Sequence, residues 1–470
     1  MGGYIGDRAI VLGGSIGGLL AARALKDSYR EVLIIDRDEM VGVTGARRST
    51  PHSFHAQALL ARGQQALEEL FPGITAELSA AGVPTGDIGA DLRWLVNGRQ
   101  MKQTYTGLVC LAAPRTIMES HLRARVEAWP NVRFQEWTDI LGLEANADRS
   151  RVIGVRVLRQ AAGSNEEIIK GDLILDSTGR GSRSPIWLKE LGYPEVPEDK
   201  VKIGLGYATR HYRLPTDYLG HNLAIVLAPT PAHPRGAIFA RETPLSDTDS
   251  RYLLTLNGVM GDHPPTDPEG FLEFARSLPN PDIYNAIKDA EPLDDPVHFR
   301  FPASRWRRYE KMSRFPAGYL VMGDAVHSPN PVYAQPITIT AVTTLRLLKY
   351  LERGVEPNPL EFFKHLGQYI DIAWDITTAS DLAHPGIEGT RSLKYRFMTG
   401  YIGRLRAAAV NDGSLTGDFL RVAGLVDRPE KLMKPSTVLK VLLNSSRKPD
   451  FKGLPGQARI PGALEPSVRQ

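Results

Sequence analysis

The sequence predicts an α/β fold in which a parallel sheet is interrupted by a second, mixed sheet and followed by helices. Three observations favour this fold. The chain opens with a strand-turn-helix-strand pattern at 7–37, apolar strands that end on polar residues return at 173–175 and 319–322, and the pattern beyond residue 355 is helical. Parallel strands that recur in this way are typical of a Rossmann-like sheet, which binds ligands at the carboxyl ends of its strands.

The opening pattern contains the residue types that a dinucleotide site needs. Its turn holds Gly13, Gly14, Ser15 and Gly18, and the following strand ends on Asp36. Glycines let a pyrophosphate approach the helix N-terminus, where free N–H groups and the helix dipole favour negative charge. A carboxylate about 20 residues after the turn can accept both ribose hydroxyls. The pattern is imperfect because Ser15 occupies the place of the middle glycine.

A second candidate element lies where the predicted strand Tyr319–Met322 ends. This strand runs into Gly323 and Asp324, and a helix is predicted to start near Pro336. Strand ends in a doubly wound sheet and helix N-termini both favour ligand binding. Two helix starts that face one cleft suit a long ligand with anionic or electron-rich groups at both ends.

The loop after Asp36 carries further polar candidates. Arg47 and Arg48 lie in it, where a cation can reach a phosphate or remain solvated. His52 and His55 follow, but no Cys, Asp or Glu close by completes a metal-ligand set. We therefore interpret the two histidines as structural or substrate-side residues.

Composition limits the class of protein. The chain has 470 residues, enough for two or three domains of about 100–200 residues each. A net charge of +4 does not indicate nucleic-acid binding, and the single Cys110 excludes an internal disulfide framework. No apolar run of about 18 residues predicts a membrane span. No signal-peptide pattern precedes the first strand, so we expect a cytoplasmic protein.

We expect three regions along the chain. A dinucleotide-binding domain takes 1–90, 112–185 and 310–355, a substrate-binding sheet domain takes 91–111 and 186–309, and C-terminal helices and a tail take 356–470. Strand-like runs between proline-rich loops predict that the middle sheet is mixed. The segment 92–111 predicts a hairpin that turns at Asn97-Gly98. The basic helix predicted at 393–410 is interpreted as a solvated face.

Three separated segments, GGSIGG with Asp36, DSTGRGS and GDAVHSPNPVYAQP, together resemble the aromatic-hydroxylase class of FAD-dependent monooxygenases. Through RRSTPHSFHA, YATRHYR, NPVY and DIAWDITTASD, the chain more closely resembles flavin-dependent epoxidases of polyether antibiotic biosynthesis. The likeness covers most of residues 5–385. It implies a glutathione-reductase-type FAD-binding domain and transfer of one oxygen atom from O₂ to a hydrophobic, polyketide- or terpenoid-like substrate. NAD(P)H or a separate flavin reductase would supply the electrons.

The resemblance also implies roles for individual residues. The glycine-rich turn would hold the pyrophosphate, Asp36 the ribose, Asp324 the ribityl chain or pyrophosphate, and the loop after residue 330 would run beside the isoalloxazine ring. The cofactor-binding residues so implied are Gly13, Gly14, Ser15, Gly18, Asp36, Arg37, Arg47, Arg115, Gly323, Asp324, Pro331 and Ala334. Because the flavin carries the chemistry, no catalytic side chain is required, and Tyr333 is a candidate neighbour of the ring or the substrate.

The sequence departs from this family at two places in the loop 331–336, which we call the ring loop. Ala334 and Pro336 stand where the relatives usually have glycine. Alanine resists the positive φ that glycine accepts, and proline has no N–H to donate to the reduced flavin. Similar proteins that use FAD without redox chemistry exist, the [4+2] cyclases of spirotetronate biosynthesis. Monooxygenase and FAD-containing cyclase are therefore both open, and a flavin-binding protein without catalysis is a third reading.

Overall fold

The computed structural model describes residues 3–444. Its strands, numbered β1 to β19 in chain order, are Gly6–Leu12, Tyr29–Ile35, Thr85–Asp87, Leu92–Val96, Arg99–Gln100, Val109–Leu111, Val132–Gln135, Thr138–Ala145, Val152–Arg159, Glu167–Lys170, Leu173–Asp176, Glu198–Pro215, Ala224–Leu227, Arg235–Pro244, Asp249–Gly258, Glu291–Pro292, Val297–Arg307, Tyr319–Val321 and His327–Ser328. Its α-helices, α1 to α12, are Ile16–Leu25, Ala61–Leu70, Ile74–Ala80, Arg115–Glu127, Ser184–Glu190, Pro268–Arg276, Asp282–Ile287, Gln335–Leu351, Pro359–Leu382, Leu393–Ala409, Gly413–Ala423 and Pro435–Asn444. Among the described helices, none has the length and apolarity that crossing a bilayer demands.

The first sheet is parallel, in the order β18-β11-β1-β2-β7. Leu12 at the end of β1 pairs with Ile35 on β2 and Asp176 on β11, and Asp176 in turn pairs with Val321 on β18. The carboxyl ends of four strands therefore lie side by side at one edge. The predicted return of the chain to this sheet at 173–175 and 319–322 is confirmed.

The turn between β1 and α1 requires its first and last glycine. Gly13 has a φ of +94°, and a Cβ added to it would lie 2.8 Å from the Ser177 carbonyl oxygen. A Cβ added to Gly18 would collide with the Gly13 carbonyl oxygen. These two glycines allow α1 to pack directly against the strand that precedes it.

The second large sheet has nine strands and is mixed, as predicted. β13 pairs with β4 in parallel, whereas β12, β14, β15 and β17 pair with their neighbours antiparallel. One face packs against α6 and α7 through a cluster that includes Tyr212, Leu254, Phe271 and Ile283. The other face carries Thr209, whose hydroxyl bonds to the imidazole of His55 in the loop after β2. We call this second face the sheet wall.

Two sequence predictions were wrong in their extent. The hairpin turns at Asn97-Gly98 as predicted, but it ends after β5, and β6 pairs with β3 in a separate sheet. The reason is Asp87, whose carboxylate accepts hydrogen bonds from the backbone of Gly89 and Thr106 and so closes the intervening loop. The sequence at 56–70 also predicts an amphipathic helix. In the structure that helix, α2, begins only at Ala61, because the segment before it is held against the sheet wall.

The C-terminal helices lie close to their predicted positions. The sequence predicts the first of them over 360–376, and in the structure α9 extends on through Leu382. It begins where the Asn358 side chain accepts a hydrogen bond from the N–H of Glu361 at 3.1 Å. α10, α11 and α12 form their own core around Tyr401, Leu405 and Leu415. The predicted C-terminal tail lies outside the described residues.

Candidate FAD-binding site

The ends of three parallel strands meet around Ser177, which follows β11. A Cβ added to Gly13 would lie 2.8 Å from the Ser177 carbonyl oxygen. A Cβ added to Gly323, after β18, would lie 3.8 Å from the Ser177 hydroxyl oxygen. Segments that are far apart in the sequence therefore meet at one edge of the parallel sheet, as the pattern of strand ends predicted.

Asp36 is fixed at the end of β2 by backbone donors. Its Oδ2 accepts the N–H of Gly14 at 2.6 Å, and its Oδ1 accepts the N–H of Asp38 at 2.9 Å. The Arg47 guanidinium lies 3.5 Å from the same Oδ2, and both side chains are buried. Each carboxylate oxygen keeps a free lone pair, so Asp36 can still accept a hydrogen bond from a hydroxyl group.

Three guanidinium groups surround the buried carboxylate of Glu119. Arg47 and Arg123 pair with its Oε1 at 2.8 and 2.6 Å, and Arg115 lies 3.6 Å from its Oε2. The Ser15 hydroxyl donates to Oε2 at 2.9 Å and accepts a hydrogen bond from Arg115 at 2.9 Å. This network, which we call the Glu119 cluster, ties the glycine-rich turn to α4.

Sequence reasoning named Arg47, Arg115 and Ser15 but missed Glu119 and Arg123. The available signal was their spacing, because Arg115, Glu119 and Arg123 follow one another at i, i+4 and i+8 on one face of α4. Such spacing is common on solvated helix faces. The structure shows that here the charged face is buried.

An orphaned donor beside the Glu119 cluster fits an anionic ligand. Nη1 of Arg47 is buried without a hydrogen bond, 3.5 Å from Asp36, whereas Nη2 lies 2.8 Å from Glu119. The neighbouring α1 has no side-chain cap and no acidic residue in its first turn, so its N–H groups stay open. Ser15 turns its hydroxyl into the cluster and leaves this helix end uncovered. The residues therefore fit a pyrophosphate.

Burial and neighbouring charges set the electrostatics of the cleft. Burial lowers the pKa of Arg115, against the opposing charges of Glu119 and Asp324. For Arg47, burial is outweighed by Glu119 and Asp36, so its pKa stays above its ordinary value. Burial raises the pKa of Asp324 to about 6, although Arg115 and Arg180 oppose the shift. The charges of Asp324 and Arg115 thus each oppose the effect of burial on the other's pKa. Asp324 is half-buried, so part of its surface remains accessible.

The ring loop has a defined geometry that corrects one expectation. Pro331–Tyr333 forms a single 3₁₀ turn, in which Asn330 Oδ1 accepts the N–H of Val332 at 3.0 Å. Ala334 then adopts the left-handed conformation, with φ 54° and ψ 26°. We expected alanine to resist this conformation. The hydrogen bond from the Ala334 N–H to the Pro331 carbonyl, at 3.0 Å, holds it there at a cost of about 1 kcal/mol.

Helix α8 starts directly after this turn with an incomplete set of donors. Of the N–H groups that a helix start leaves unpaired, that of Ala334 bonds to Pro331 and Pro336 has none. The N–H groups of Gln335 and Ile337 remain for a ligand. The first turn of α8 can therefore still present donors to an electron-rich group.

Several predicted residues lie apart from the strand-end cluster. The Arg37 side chain is 67% exposed and pairs with Asp139 at 3.2 Å, so the structure does not bring it to Asp36. Tyr333 donates its hydroxyl to Asp381 at 3.0 Å. In the motif DSTGRGS, the sequence predicts a surface position or a carboxylate partner for Arg180. In the structure its guanidinium lies over the ring of Phe301.

The sheet wall supplies an apolar and aromatic surface beside the ring loop. His55 packs against Tyr207 and Phe299, at centroid distances of 5.8 and 5.6 Å. Val332 of the ring loop packs against the cluster that contains Tyr207 and Leu382. Burial lowers the pKa of His55 to about 4, so its ring is neutral at physiological pH. The ring of His52 also lies 6.4 Å from that of Phe299, so both histidines face the sheet wall.

Comparison with known proteins decides the family. No protein-family model matches the chain. Protein Rv3254 of Mycobacterium tuberculosis (strain ATCC 25618 / H37Rv) is 34% identical over 358 residues, which cover 74% of this chain and 73% of that protein. The chain belongs to the Rv3254 family. The aligned part of this Rv3254-family protein is long enough to include both large sheets.

Solved structures share the fold of the Rv3254-family protein. Flavin-dependent brominase Bmp2 aligns at 14% identity with a TM-score of 0.61, over 89% of this chain and 93% of that one. p-Nitrophenol 4-monooxygenase PnpA from Pseudomonas putida DLL-E4 aligns at 13% with a TM-score of 0.61, over 89% and 98%. Diels-Alderase PyrE3 of pyrroindomycin biosynthesis aligns at 16% with a TM-score of 0.55, over 90% and 81%. The predicted α/β fold of the flavin-dependent monooxygenase type is confirmed.

Proposed function

We propose that the protein binds FAD in the cleft at the ends of β1, β2, β11 and β18. One arrangement carries this proposal: the uncapped N-terminus of α1 lies beside the fixed carboxylate of Asp36, and the unbonded Nη1 of Arg47 lies 3.5 Å from that carboxylate. The helix end and Arg47 suit the pyrophosphate, and Asp36 suits the adenosine ribose. Gly323 and Asp324 would lie beside the ribityl chain or the pyrophosphate.

The ring loop would take the flavin ring. Pro331 and Ala334 would lie beside it, and the N–H groups of Gln335 and Ile337 could donate to its pyrimidine edge. Donors at a helix start favour negative charge, as an oxyanion hole does. This part of the proposal rests on the geometry of α8 and on the sequence resemblance.

We infer that the protein is a monooxygenase. When bound and reduced by NAD(P)H or a flavin reductase, FAD supplies the transfer of one oxygen atom from O₂. The sheet wall would hold a hydrophobic substrate of polyketide or terpenoid type against the ring loop, and Tyr207, Phe299 and His55 would exclude water there. The N–H groups of Gln335 and Ile337 would stabilise the negative charge of a reduced flavin, which favours a redox role for the cofactor.

A specific observation favours a second function. Pro336 removes one donor from the first turn of α8, and the strained Ala334 N–H is already bonded to Pro331. A flavin that no longer cycles could still shape a cavity for a [4+2] cyclisation. The fold of the Diels-Alderase PyrE3, which aligns over 90% of this chain, is compatible with that reading.

Flavin reduction and O₂ uptake separate the two functions. The purified yellow protein is mixed with NADPH, with and without a flavin reductase, while the flavin absorbance and dissolved O₂ are recorded. A monooxygenase gives a flavin that bleaches and is reoxidised with O₂ consumption. A flavin that stays oxidised under both conditions, in a protein that still converts a polyene, would establish the cyclase instead.

A further inference from the structure

The two ring nitrogens of His55, in the loop before α2, have different surroundings. Nδ1 lies 2.8 Å from the hydroxyl oxygen of Thr209 on the sheet wall. Nε2 is buried and has no hydrogen-bond partner among the residues that the structure describes. The residue is only 3% exposed, so bulk water does not pair with this nitrogen either. Because buried polar atoms are normally hydrogen-bonded, an unpaired ring nitrogen at this place requires an explanation.

A chain of hydrogen bonds determines which nitrogen of His55 carries the proton. The Ala56 N–H donates to the hydroxyl oxygen of Thr255 at 3.0 Å, and that oxygen lies 2.7 Å from the hydroxyl oxygen of Thr209. If Thr255 donates to Thr209 and Thr209 donates to Nδ1, each hydroxyl hydrogen has an acceptor. The reverse direction leaves the hydrogen of the buried Thr255 hydroxyl without an acceptor among the described residues. The chain therefore makes Nδ1 an acceptor and Nε2–H an unpaired donor.

This unpaired donor lies in apolar surroundings that adjoin the ring loop. The ring of His55 is 5.8 Å from that of Tyr207 and 5.6 Å from that of Phe299. These two aromatic residues pair across β12 and β17 on the sheet wall. Val332 of the ring loop packs against the same apolar cluster. A ligand held between the sheet wall and the ring loop would therefore lie next to the Nε2–H group.

The surroundings of His55 suit an uncharged acceptor. Burial lowers the pKa of His55 to about 4, so the ring carries no charge at physiological pH. A carboxylate beside this ring would lose its hydration and gain no opposite charge, which is unfavourable. A carbonyl oxygen loses much less hydration and can accept the N–H. The site therefore favours a neutral oxygen over an anion.

We propose that the Nε2–H of His55 donates a hydrogen bond to a carbonyl oxygen of the hydrophobic substrate. This inference rests on the proposed function, since it names a group of the substrate that would lie along the sheet wall. His55 is then a specificity-determining residue, which orients a ketone or a quinone and rejects the analogue without the oxygen. Such discrimination is strong because the analogue leaves a buried donor unpaired.

Binding of 9-fluorenone and fluorene tests this assignment. The two rigid tricyclic compounds differ at one carbon, which is a carbonyl in the first and a methylene in the second. Equilibrium dialysis against the full-length protein should show about 5- to 10-fold tighter binding of 9-fluorenone. His55→Phe should abolish this preference and leave the affinity for fluorene unchanged. His55→Gln should keep part of the preference, because its amide N–H is a donor of similar reach.

A matched control and a spectroscopic measurement distinguish a hydrogen bond from packing. His233→Phe makes the same replacement at an exposed histidine between β13 and β14, and should keep the full preference. The infrared carbonyl stretch of bound 9-fluorenone should lie at lower frequency in wild type and in His233→Phe than in His55→Phe. The reason is that a donated hydrogen bond weakens the C=O bond, whereas a change in packing alone does not.

Several results would overturn the assignment. They are equal affinity of the wild type for the two compounds, no binding of 9-fluorenone up to its solubility limit, and an unchanged preference in His55→Phe. A carbonyl stretch that is identical in wild type and His55→Phe would overturn it as well. Equal losses for both compounds in His55→Phe would show that the residue only packs the sheet wall, which also contradicts the assignment.

Flavin absorbance of each sample separates this inference from the proposed function. A colourless protein that still prefers 9-fluorenone would contradict FAD binding and support the role of His55. A yellow protein without the preference would overturn the role of His55 and leave FAD binding standing.

Thr209→Val provides a second variant if circular dichroism shows that His55→Phe unfolds. Valine matches threonine in size but cannot donate to Nδ1, so the proton of His55 is no longer confined to Nε2. The preference for 9-fluorenone should therefore fall in Thr209→Val. A full preference in this folded variant would contradict the hydrogen-bond chain that makes Nε2–H the donor, and with it the assignment.

Discussion

The backbone N–H of Gly14 donates a hydrogen bond to the carboxylate of Asp36 across 2.6 Å. This bond joins the glycine-rich turn after β1 to the acid at the end of β2, so that each fixes the position of the other. If a nucleotide binds with its pyrophosphate at this turn, the carboxylate of Asp36 is therefore already oriented to accept hydrogen bonds from the ribose hydroxyls.

Arg47→Met should weaken FAD binding about 10- to 100-fold, the loss expected for one charge-assisted hydrogen bond. Its Nη1 is buried without a hydrogen bond, 3.5 Å from Asp36, and its Nη2 lies 2.8 Å from Glu119. Titration of the flavin-free protein with FAD, followed by flavin fluorescence, measures the change. Arg30→Gln removes an exposed arginine that pairs with Asp7 and lies over the ring of Tyr4, and this variant should bind FAD as wild type does. Equal affinity in Arg47→Met and wild type would exclude Arg47 from the site.

Ala334→Gly should raise the free energy of unfolding by about 1 kcal/mol. Ala334 sits at φ 54°, where a Cβ is unfavourable and glycine has no penalty. Thermal unfolding measured by calorimetry checks the sign. Ala341→Gly, inside the same helix α8 and fully buried, should instead destabilise by about 1 kcal/mol or more. Destabilisation by both substitutions would mean that the left-handed residue is not strained.

Pro336→Gly should raise the flavin reduction potential by about 30–60 mV, because it restores an N–H donor to the first turn of α8. A hydrogen bond at the pyrimidine edge favours the reduced ring. Spectroelectrochemical titration of the flavin band measures the potential. Pro268→Gly changes a proline at the start of α6, which packs against the second large sheet, and should leave the potential unchanged. No shift in Pro336→Gly would place the flavin edge away from α8.

Asp381→Asn should flatten the pH dependence of stability between about pH 4 and 6. Burial raises the pKa of Asp381 from 3.8 to about 6, against opposing hydrogen bonds from Asn330 and Tyr333. The folded protein therefore retains a proton that the unfolded chain releases, and the free energy of unfolding falls as the pH rises through this window. A shift of this size corresponds to at most about 3 kcal/mol.

Denaturant unfolding at several pH values checks this prediction. Burial shifts the pKa of Asp324 in the same direction, so the single substitution should remove only part of the slope. The double variant Asp324→Asn/Asp381→Asn should remove more of it. A slope that is identical in wild type and in Asp381→Asn would show that this carboxyl titrates normally in the folded protein.

The sequence was sufficient where chemistry and periodicity coincide. The turn at Gly13 and the acid Asp36 were predictable, because an apolar strand, a glycine turn and an acid at the end of the next strand are the pattern typical of dinucleotide binding. Arg37 shows the limit of this reasoning. It adjoins Asp36 in sequence, but successive side chains at a strand end point to opposite sides, and Arg37 pairs with Asp139 instead.

Other features depend on tertiary contacts that no local pattern reveals. Glu119 meets Ser15 only because α4 packs beside the turn after β1. Strand β17 contains Pro302, which normally argues against a strand interior. In the structure, the register of its partner β12 shifts between Lys202 and Leu205, opposite that proline, and the irregularity accommodates the missing N–H.

The measurement that tests the account most directly is equilibrium binding of FAD to the flavin-free protein and to its Arg115→Met variant. We predict one FAD per chain, a Kd of about 1 μM or lower for the wild type, and at least about 10-fold weaker binding for Arg115→Met. A wild-type protein that takes up no FAD, or that binds it equally well without Arg115, would contradict the assignment of the cleft.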